Sequence, residues 1–495
     1  MDPDVIVVGG GGSGLSAAVA AAQQGLRVVV LEKNPHVGGS TALSVGSFAA
    51  AGTSLQRRQG IEDSAERFMA DARLMNGEDL ERRDNVALRE VLIREAAGAF
   101  EALRGIGVQF FGPTEQPPWT VRRMHQVVPN SRAYVGALRA EAERRRVEIR
   151  VGAPARRLLV EDGRVVGVDA GQELRARLGV VLAAGDYSAN AEMKADYAGA
   201  QIGRLPPVNP TNTGDGFRMA ADVGAALRNM DRVAEELRFS LPAGFDVPGS
   251  MPTGPKAALV MRVAIERLPK GLLRVISRRA LTSLTGPSPT LFSAGAILVD
   301  ADAKRFGDEL TAPARALGDL AENRCYAIFD GAVGELFSGP PNHISTFPGI
   351  AYAYIGDYLR IRPDATHVAP TLADVARGID VDPEALQATV ERYNALARAG
   401  RDDDFGRATL GAGLLRPPFY ALGPLIGRVI VTDGGLAVDQ CCRVLDERGA
   451  AIEGLHAVGA NGQGGLVLRG HGMHIGWAMT SGRIAAASVA RSARP

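Results

Sequence analysis

The stretch "DVIVVGGGGSGLSAAVAAAQQGLRVVVLEK", residues 4–33, constrains the fold more than any other part of this 495-residue chain. Val5 to Val8 form an uninterrupted apolar run, the pattern of a parallel strand covered on both faces. Gly9, Gly11 and Gly14 follow at GxGxxG spacing, with Gly12 and Ser13 between them. Residues 15–24 are Ala-rich and favour helix, Gly25 ends that helix, and residues 28–31 supply a second strand. In such a unit the first glycine permits a tight turn, the second lets backbone approach a pyrophosphate, and the third lets helix pack on strand. Glu32 closes the second strand, where a carboxylate can accept both ribose hydroxyls of an adenosine and disfavours a 2′-phosphate. The unit predicts a doubly wound α/β domain that binds a dinucleotide other than NADP.

Directly beyond lies a second glycine-rich loop, "NPHVGGSTALSVGSFAAAG" (34–52), where an NAD dehydrogenase would continue with helix and strand. Gly39, Ser40, Thr41, Val45 and Gly46 in that loop suit a ligand that runs on past the pyrophosphate, as the ribityl chain and isoalloxazine ring of FAD do. On these motifs the chain resembles the FAD-dependent oxidoreductase 2 family of soluble fumarate reductases, urocanate reductases and 3-ketosteroid dehydrogenases. Further segments match in order: "GRVVGV" (163–168), "VVLAAGDYSAN" (180–190), "TNTGDGFRMAADVGAAL" (211–227), "ILVDADAKRFGDE" (297–309), "PPFYA" (417–421), "TDGGLAVD" (432–439) and "GLHAVGANGQGG" (454–465). The match lapses at about residues 240–290.

The resemblance implies a Rossmann-like FAD domain at 1–234 and 420–495, interrupted by an α+β substrate-capping domain at 235–419. It also implies cofactor contacts from Lys33, Ala155, Ala184, Gly185, Asp215, Gly459, Ala460, His474 and Ile475. No second strand is followed by GxGxxG, so the electron acceptor or donor is expected to be separate from this chain. The loop 38–46 contains no histidine, which favours non-covalent FAD, although His36 lies just before it.

Near the carboxyl terminus, "GGLVLRGHGMHIGWAM" (464–479) weaves five glycines around Arg469, His471 and His474 and leads into a helical segment. The amino terminus of that helix suits the flavin N1/O2 edge, where negative charge develops on reduction. Arg469 offers bidentate recognition of a carboxylate. The Gly472 N–H is a candidate oxyanion donor, and His471 or His474 a proton carrier near neutral pH.

The family's known catalytic sets are only partly present. Glu309 takes the place of the fumarate reductase relay glutamate, but the arginine and histidine expected there fall on Gly334 and Val431. The ketosteroid dehydrogenase tyrosines fall on Leu468 and near Pro313. Tyr352 and Tyr354, alternating with alanine as on one face of a strand, are the candidate replacements for the base, with Tyr420 behind them. The reading is an FAD-dependent desaturase of a CH–CH bond next to a carbonyl or carboxyl, in a cyclic and anionic small molecule. Its rivals are a fumarate reductase-like reductase of an activated double bond, a 3-ketosteroid dehydrogenase-like enzyme with a changed active site, and a flavin-binding subunit without catalysis.

Composition narrows the partners. A net charge of +1 gives no electrostatic reason to expect nucleic acid. Cys325, Cys441 and Cys442 fit neither a disulfide framework nor a zinc site, and the HxxH pair 471–474 shows no third ligand. No metal is expected. The start "MDPDVIVV" is unlike a signal peptide and no apolar run is long enough to span a bilayer, so a cytoplasmic protein is expected. The basic stretch 261–281 is read as an amphipathic cap helix, with a membrane-surface helix as the alternative.

Overall fold

A computed structural model describes residues 2–242, 244, 251–267, 278–347 and 351–493. Strand β1 (Val5–Val8) is buried along its whole length, as its unbroken run of branched residues requires. The chain turns through the glycines into helix α1 (Gly12–Gln23), then β2 (Val28–Glu32), the short helix α2 (Gly39–Leu43) and β3 (Ser47–Ala49). Strands β4 (Glu148–Val151) and β5 (Gly179–Leu182) complete the amino-terminal share of the first sheet.

The chain then enters a second sheet through β6 (Val233–Phe239), followed by β7 (Ile297–Val299), β8 (Cys325–Phe329), β9 (Thr366–Ala369) and the long β10 (Phe419–Thr432). It returns through β11 (Arg443–Leu445), β12 (Ala451–Ala457) and the 20-residue helix α3 (Met473–Ser492). The first sheet has the order β11-β12-β5-β1-β2-β4, all neighbours parallel except the β11–β12 pair. This is the doubly wound α/β class that the glycine motif predicts.

The second sheet is antiparallel. β10 pairs with β6 over Leu425–Thr432 and with β9 over Phe419–Leu422, and β8 and β7 extend it. Each sheet has its own buried apolar cluster, one built around β1, α1 and α3, the other around β7, β8 and β10. Because β10 pairs throughout within the second sheet, the chain returns to the first near Thr432 rather than at residue 420.

Close packing of α1 on α3 sets the position of the carboxyl-terminal bend. A Cβ on Gly482 of α3 would fall 2.5 Å from the Ser13 carbonyl oxygen and 2.8 Å from Ala17 N. The Ser16 hydroxyl donates to the Met479 carbonyl at 2.8 Å. Small residues on both helices permit this approach, so the start of α3 is anchored to the glycine turn that starts α1.

The basic stretch 261–281 lies partly outside the described residues, which exclude Lys270 and Arg274. Within them, Arg262 donates to Glu266 at 2.8 Å and to Gln109 at 3.2 Å, and Arg278 pairs with Asp357 at 3.0 Å. Among the described residues no helix is long and apolar enough to cross a membrane.

Candidate active site

The glycine turn has room for a ligand where the motif requires it. A Cβ on Gly14 would run into the Gly9 carbonyl, and one on Gly9 into that of Ala183, so both glycines serve packing within the protein. At Gly11 the nearest neighbouring atom, the Gly38 carbonyl oxygen, is 4.0 Å from such a Cβ. Protein packing does not demand glycine there; an approaching pyrophosphate does. The Glu32 carboxylate is buried and accepts from the Gly10 amide at 2.7 Å and from the Asn34 amide and side chain, each at 2.8 Å.

Lys33 donates to Asp215 at 2.7 Å and to Thr213 at 2.6 Å. Burial raises the Asp215 pKa, but hydrogen bonds from Lys33, Thr213 and Arg218 outweigh it and hold the group below the usual carboxylate value. Ser40 accepts from both Asn209 and Asn212 at 2.9 Å, and Asn212 donates to the buried Asp186 at 2.6 Å. Thr41 accepts from the Gly12 amide at 3.2 Å, while Val45 is exposed and Gly46 accepts from Tyr134 at 2.7 Å. Ala184 N donates to Asn461 at 3.3 Å, and a Cβ on Gly185 would sit 2.8 Å from Asn212. Ala155 lies in the connection after β4, and Gly459 and Ala460 follow β12. Gly459 N donates to Ser481 at 2.9 Å, and a Cβ on Gly459 would meet Ser13 at 2.5 Å.

The carboxyl-terminal bend is held from several directions. Val467 N donates to Asp84 at 2.7 Å, and Asn85 and Asn229 donate to the carbonyls of Gly464 and Gly465. Gly472 caps α3 in the left-handed region at φ 90°. The first α-helical bond runs from Gly476 N to Gly472 O at 2.9 Å. The amides of His474 and Ile475 therefore have no acceptor within the helix, and Met473 makes only a 3.4 Å bond to Gly470. An N–H-rich, positively polarised turn results.

Arg469 is exposed beside this turn and has no ion pair or hydrogen bond among the described residues. His471 is also reachable by solvent, yet surrounding protein pushes its pKa below the ordinary value. Desolvation is the main cause, with Arg238 adding to it and Glu236 opposing it. Both charged groups lie on β6, so the bend at His471 is near enough to that strand of the second sheet to feel its charges. His474 Nε2 lies 3.1 Å from Asp433, which is buried and also accepts from Arg232 at 3.0 Å and from Gln463 at 3.4 Å.

The two tyrosines differ in their surroundings. The strand Ala351–Ala353 ends before Tyr354, which precedes the helix Ile355–Ile361 and is 8% exposed; Tyr352 is 41% exposed and meets His343 edge-on at 5.1 Å. Tyr420 stacks on Phe329 at 5.0 Å. Glu309 is buried in the second core. It accepts from Arg305 at 2.8 and 2.9 Å, from Arg407 at 3.0 Å and from Leu298 N at 3.2 Å, so its lone pairs are committed to structure.

Sequence reasoning missed Asp433, Arg232, Trp119 and Asp84. Only Asp433 carried a signal, an acid wedged between a long apolar strand and a Gly-Gly pair. Trp119 lies far away in sequence, yet its ring meets Gly470, where a Cβ would fall 2.6 Å from Cζ2. Among the described residues no three His, Cys, Asp or Glu side chains converge as a metal site.

A parallel sheet, a ligand-ready glycine turn with its terminal glutamate, and a donor-rich bend define a dinucleotide-dependent oxidoreductase. The family model described as "FAD binding domain" matches residues 4–244 and 268–471, and the chain belongs to the FAD-dependent oxidoreductase 2 family. It is 28% identical to 4-oxocyclohexanecarboxylate 2-dehydrogenase of Sinomonas cyclohexanicum, over 99% of this chain and 93% of that one. It is 27% identical to a probable fumarate reductase of Shewanella frigidimarina, over 92% and 69%, and to 3-oxosteroid 1-dehydrogenase of Mycobacterium tuberculosis, over 99% and 98%.

The open conformation of a flavocytochrome c3 fumarate reductase superposes with a TM-score of 0.73 at 25% identity, covering all of this chain and 79% of that one. The protein is an FAD-dependent oxidoreductase acting on CH–CH bonds. The residues fit the cofactor: Gly11 leaves the clearance, Glu32 presents a buried acceptor, and the buried Asn461 Nδ2 has no hydrogen-bond partner among the described residues.

Proposed function

We propose that this enzyme desaturates a CH–CH bond next to the carbonyl of a cyclic ketone or ketoacid. The supporting observation is Arg469, an exposed guanidinium without a partner among the described residues, one turn from the free amides that begin α3. Arg469 binds the carboxylate of the substrate in bidentate fashion. The Gly472 N–H receives the ketone oxygen and so acidifies the neighbouring C–H. His471, kept neutral by its protein surroundings, accepts the α-proton at its free ring nitrogen and passes it to water.

Gly11, Glu32 and the loop 38–46 would hold FAD non-covalently, and bound FAD would supply the hydride acceptor. The second sheet, from β6 to the end of β10 at Thr432, and the elements packed on it form the lid that excludes water, and a separate cytoplasmic electron acceptor restores the oxidised enzyme. The cytoplasmic reading is supported by three cysteines that are all free. The likeness to 4-oxocyclohexanecarboxylate 2-dehydrogenase and to 3-oxosteroid 1-dehydrogenase is equally complete, and it is the Arg469 guanidinium, unpartnered among the described residues, that favours a ketoacid over a steroid without a carboxylate. The reverse reaction, reduction of an activated double bond, is the second reading, supported by the likeness to the flavocytochrome fumarate reductase.

Anaerobic titration of the yellow protein with 4-oxocyclohexanecarboxylate, cyclohexanone and a 3-ketosteroid tests the proposal. The ketoacid is expected to bleach the flavin at the lowest concentration, and Arg469→Ala to raise that concentration at least about tenfold, as loss of a charged hydrogen-bond partner does. Equal behaviour of ketoacid and cyclohexanone, or an unaffected Arg469→Ala, removes the carboxylate role. Return of the yellow oxidised spectrum when the dithionite-reduced enzyme meets fumarate-like acceptors, with no bleaching of the oxidised enzyme by any of the ketones, supports the second reading.

A further inference from the structure

His474 and Asp433 form a pair that the reaction as outlined does not use. Asp433 is buried at the end of β10, where the chain crosses back from the second sheet, and it takes hydrogen bonds from three other segments. Arg232 comes from the outward crossing before β6, Gln463 from the loop after β12, and His474 from the first turn of α3. Burial raises the Asp433 pKa, but His474, Arg232 and Gln463 together bring it below the ordinary carboxylate value, so it is an acceptor only. The Nε2 of His474 must then be the protonated nitrogen, because the hydrogen bond at one ring nitrogen sets the tautomer. Nδ1 is left as a lone pair on a ring that is 37% exposed.

We propose that Asp433 is a positioning residue that holds His474 as the proton-accepting, charge-balancing partner of reduced FAD. The inference rests on the reading that the start of α3 faces the flavin. Bound FAD would take up the substrate's hydride, two electrons and one hydrogen, and with it one negative charge. His474 Nδ1 takes one proton from water, matching the proton that His471 releases to water, and becomes an imidazolium while Nε2–H stays on Asp433. Hydrogens and charge balance: one hydride and one proton leave the CH–CH bond, and the reduced cofactor is paired with one new cation. The free amides of His474 and Ile475 lie in the same turn and act in the same direction.

The test uses sulfite, which adds to oxidised flavin and leaves a negative charge on the ring, so its affinity reports positive charge nearby. In the holoenzyme, His474→Gln is expected to weaken sulfite binding at least about tenfold, the effect of losing one adjacent charge. Asp433→Asn is expected to weaken it as well, because the imidazole loses its anchor and counter-charge. Were Asp433 merely a nearby anion, its neutralisation would tighten sulfite instead, and that sign overturns the proposal.

A second measurement needs no variant. 15N-histidine spectra of the wild-type holoenzyme are expected to show one more doubly protonated imidazole after dithionite reduction than before. No change on reduction also overturns the proposal. If both variants leave the visible spectrum of bound FAD unmoved, the placement of α3 against the flavin fails and the proposal with it. If the spectrum moves while sulfite affinity and reduced-state protonation do not, the placement survives and the proposal alone fails.

Discussion

Gly472 and Ala49 meet backbone to backbone. The Ala49 amide donates to the Gly472 carbonyl at 3.2 Å, and a Cβ on Gly472 would fall 2.5 Å from Ala49 N and 2.8 Å from the Phe48 carbonyl carbon. The loop that follows the glycine turn and the helix that follows the carboxyl-terminal bend are thereby registered to each other without space for a side chain. Gly472→Ala combines a left-handed φ of 90° with a backbone clash and is expected to cost about 2–4 kcal/mol and to release FAD. Gly60, at φ 66° with open space around its Cα, is the control, and Gly60→Ala should cost only about 1 kcal/mol. Thermal melting and the flavin content after gel filtration distinguish the two. Equal losses would mean that the close approach at Gly472 is unimportant.

Glu32 supports the turn before any ligand arrives, through its 2.7 Å bond from the Gly10 amide and its two bonds from Asn34. Glu32→Gln sets an amide donor against one of these donors and weakens the acceptor offered to the ribose. Charge-assisted hydrogen bonds of this kind are worth about 1.5–3 kcal/mol, so FAD affinity should fall by a factor of about ten to a hundred. Fluorescence titration of the apoprotein measures it. An unchanged dissociation constant would show that the carboxylate does not read the ribose.

The fold of the first sheet was legible because its signals are local. An apolar run, a glycine spacing and a terminal acid occupy 30 consecutive residues, and each has one physical reading. The donors at the bend were legible for the same reason, since Arg469, Gly470, His471 and Gly472 are neighbours in sequence. Asp433 and Trp119 were not, because their roles arise from contacts with His474 and Gly470 across 41 residues and across more than half the chain. Nothing local marks a buried acid as the meeting point of three segments. Alternation also says nothing of the different surroundings of Tyr352 and Tyr354, the first exposed on its strand and the second buried in extended backbone just before the next helix. The end of the second sheet was misplaced because "PPFYA" reads as a hinge, whereas β10 runs on through it to Thr432.

Glu309 separates a structural from a catalytic role. Its carboxylate is 2% exposed and joins Arg305, Arg407 and, through Arg305, Asp402 in one buried network. Glu309→Gln leaves two buried guanidinium groups short of negative charge, a loss of about 3–5 kcal/mol in such settings. The melting temperature should drop clearly while folded enzyme retains its rate of flavin reduction by substrate. A variant that melts like the wild type but no longer reduces its flavin would restore the proton-relay role implied by the fumarate reductases.

Two buried histidines set the acid limit of the fold. His125, paired with Phe48 across β3, bonds to the Phe48 carbonyl at 3.1 Å and to Thr53 at 2.9 Å. His456, on β12, bonds to Ser488 at 3.1 Å while its Nδ1 is buried without a partner among the described residues. Burial pushes both down to about 4. Unfolded histidine titrates near 6.5, so between about pH 6.5 and 4 the unfolded chain binds more protons than the folded one, and stability falls as pH falls through that window. Each group contributes at most about 3 kcal/mol of this loss, on the scale of about 1.4 kcal/mol per pKa unit. The melting temperature should therefore be level above about pH 7 and decline steadily toward pH 4.5. FAD should be lost early, because His125 braces the strand that cradles Gly472. His456→Gln keeps a partner for Ser488 without a titrating ring, and its melting temperature should decline less steeply over the same range. A wild-type melting curve that stays flat from pH 7 to 4.5 would mean that these rings reach water in the folded state.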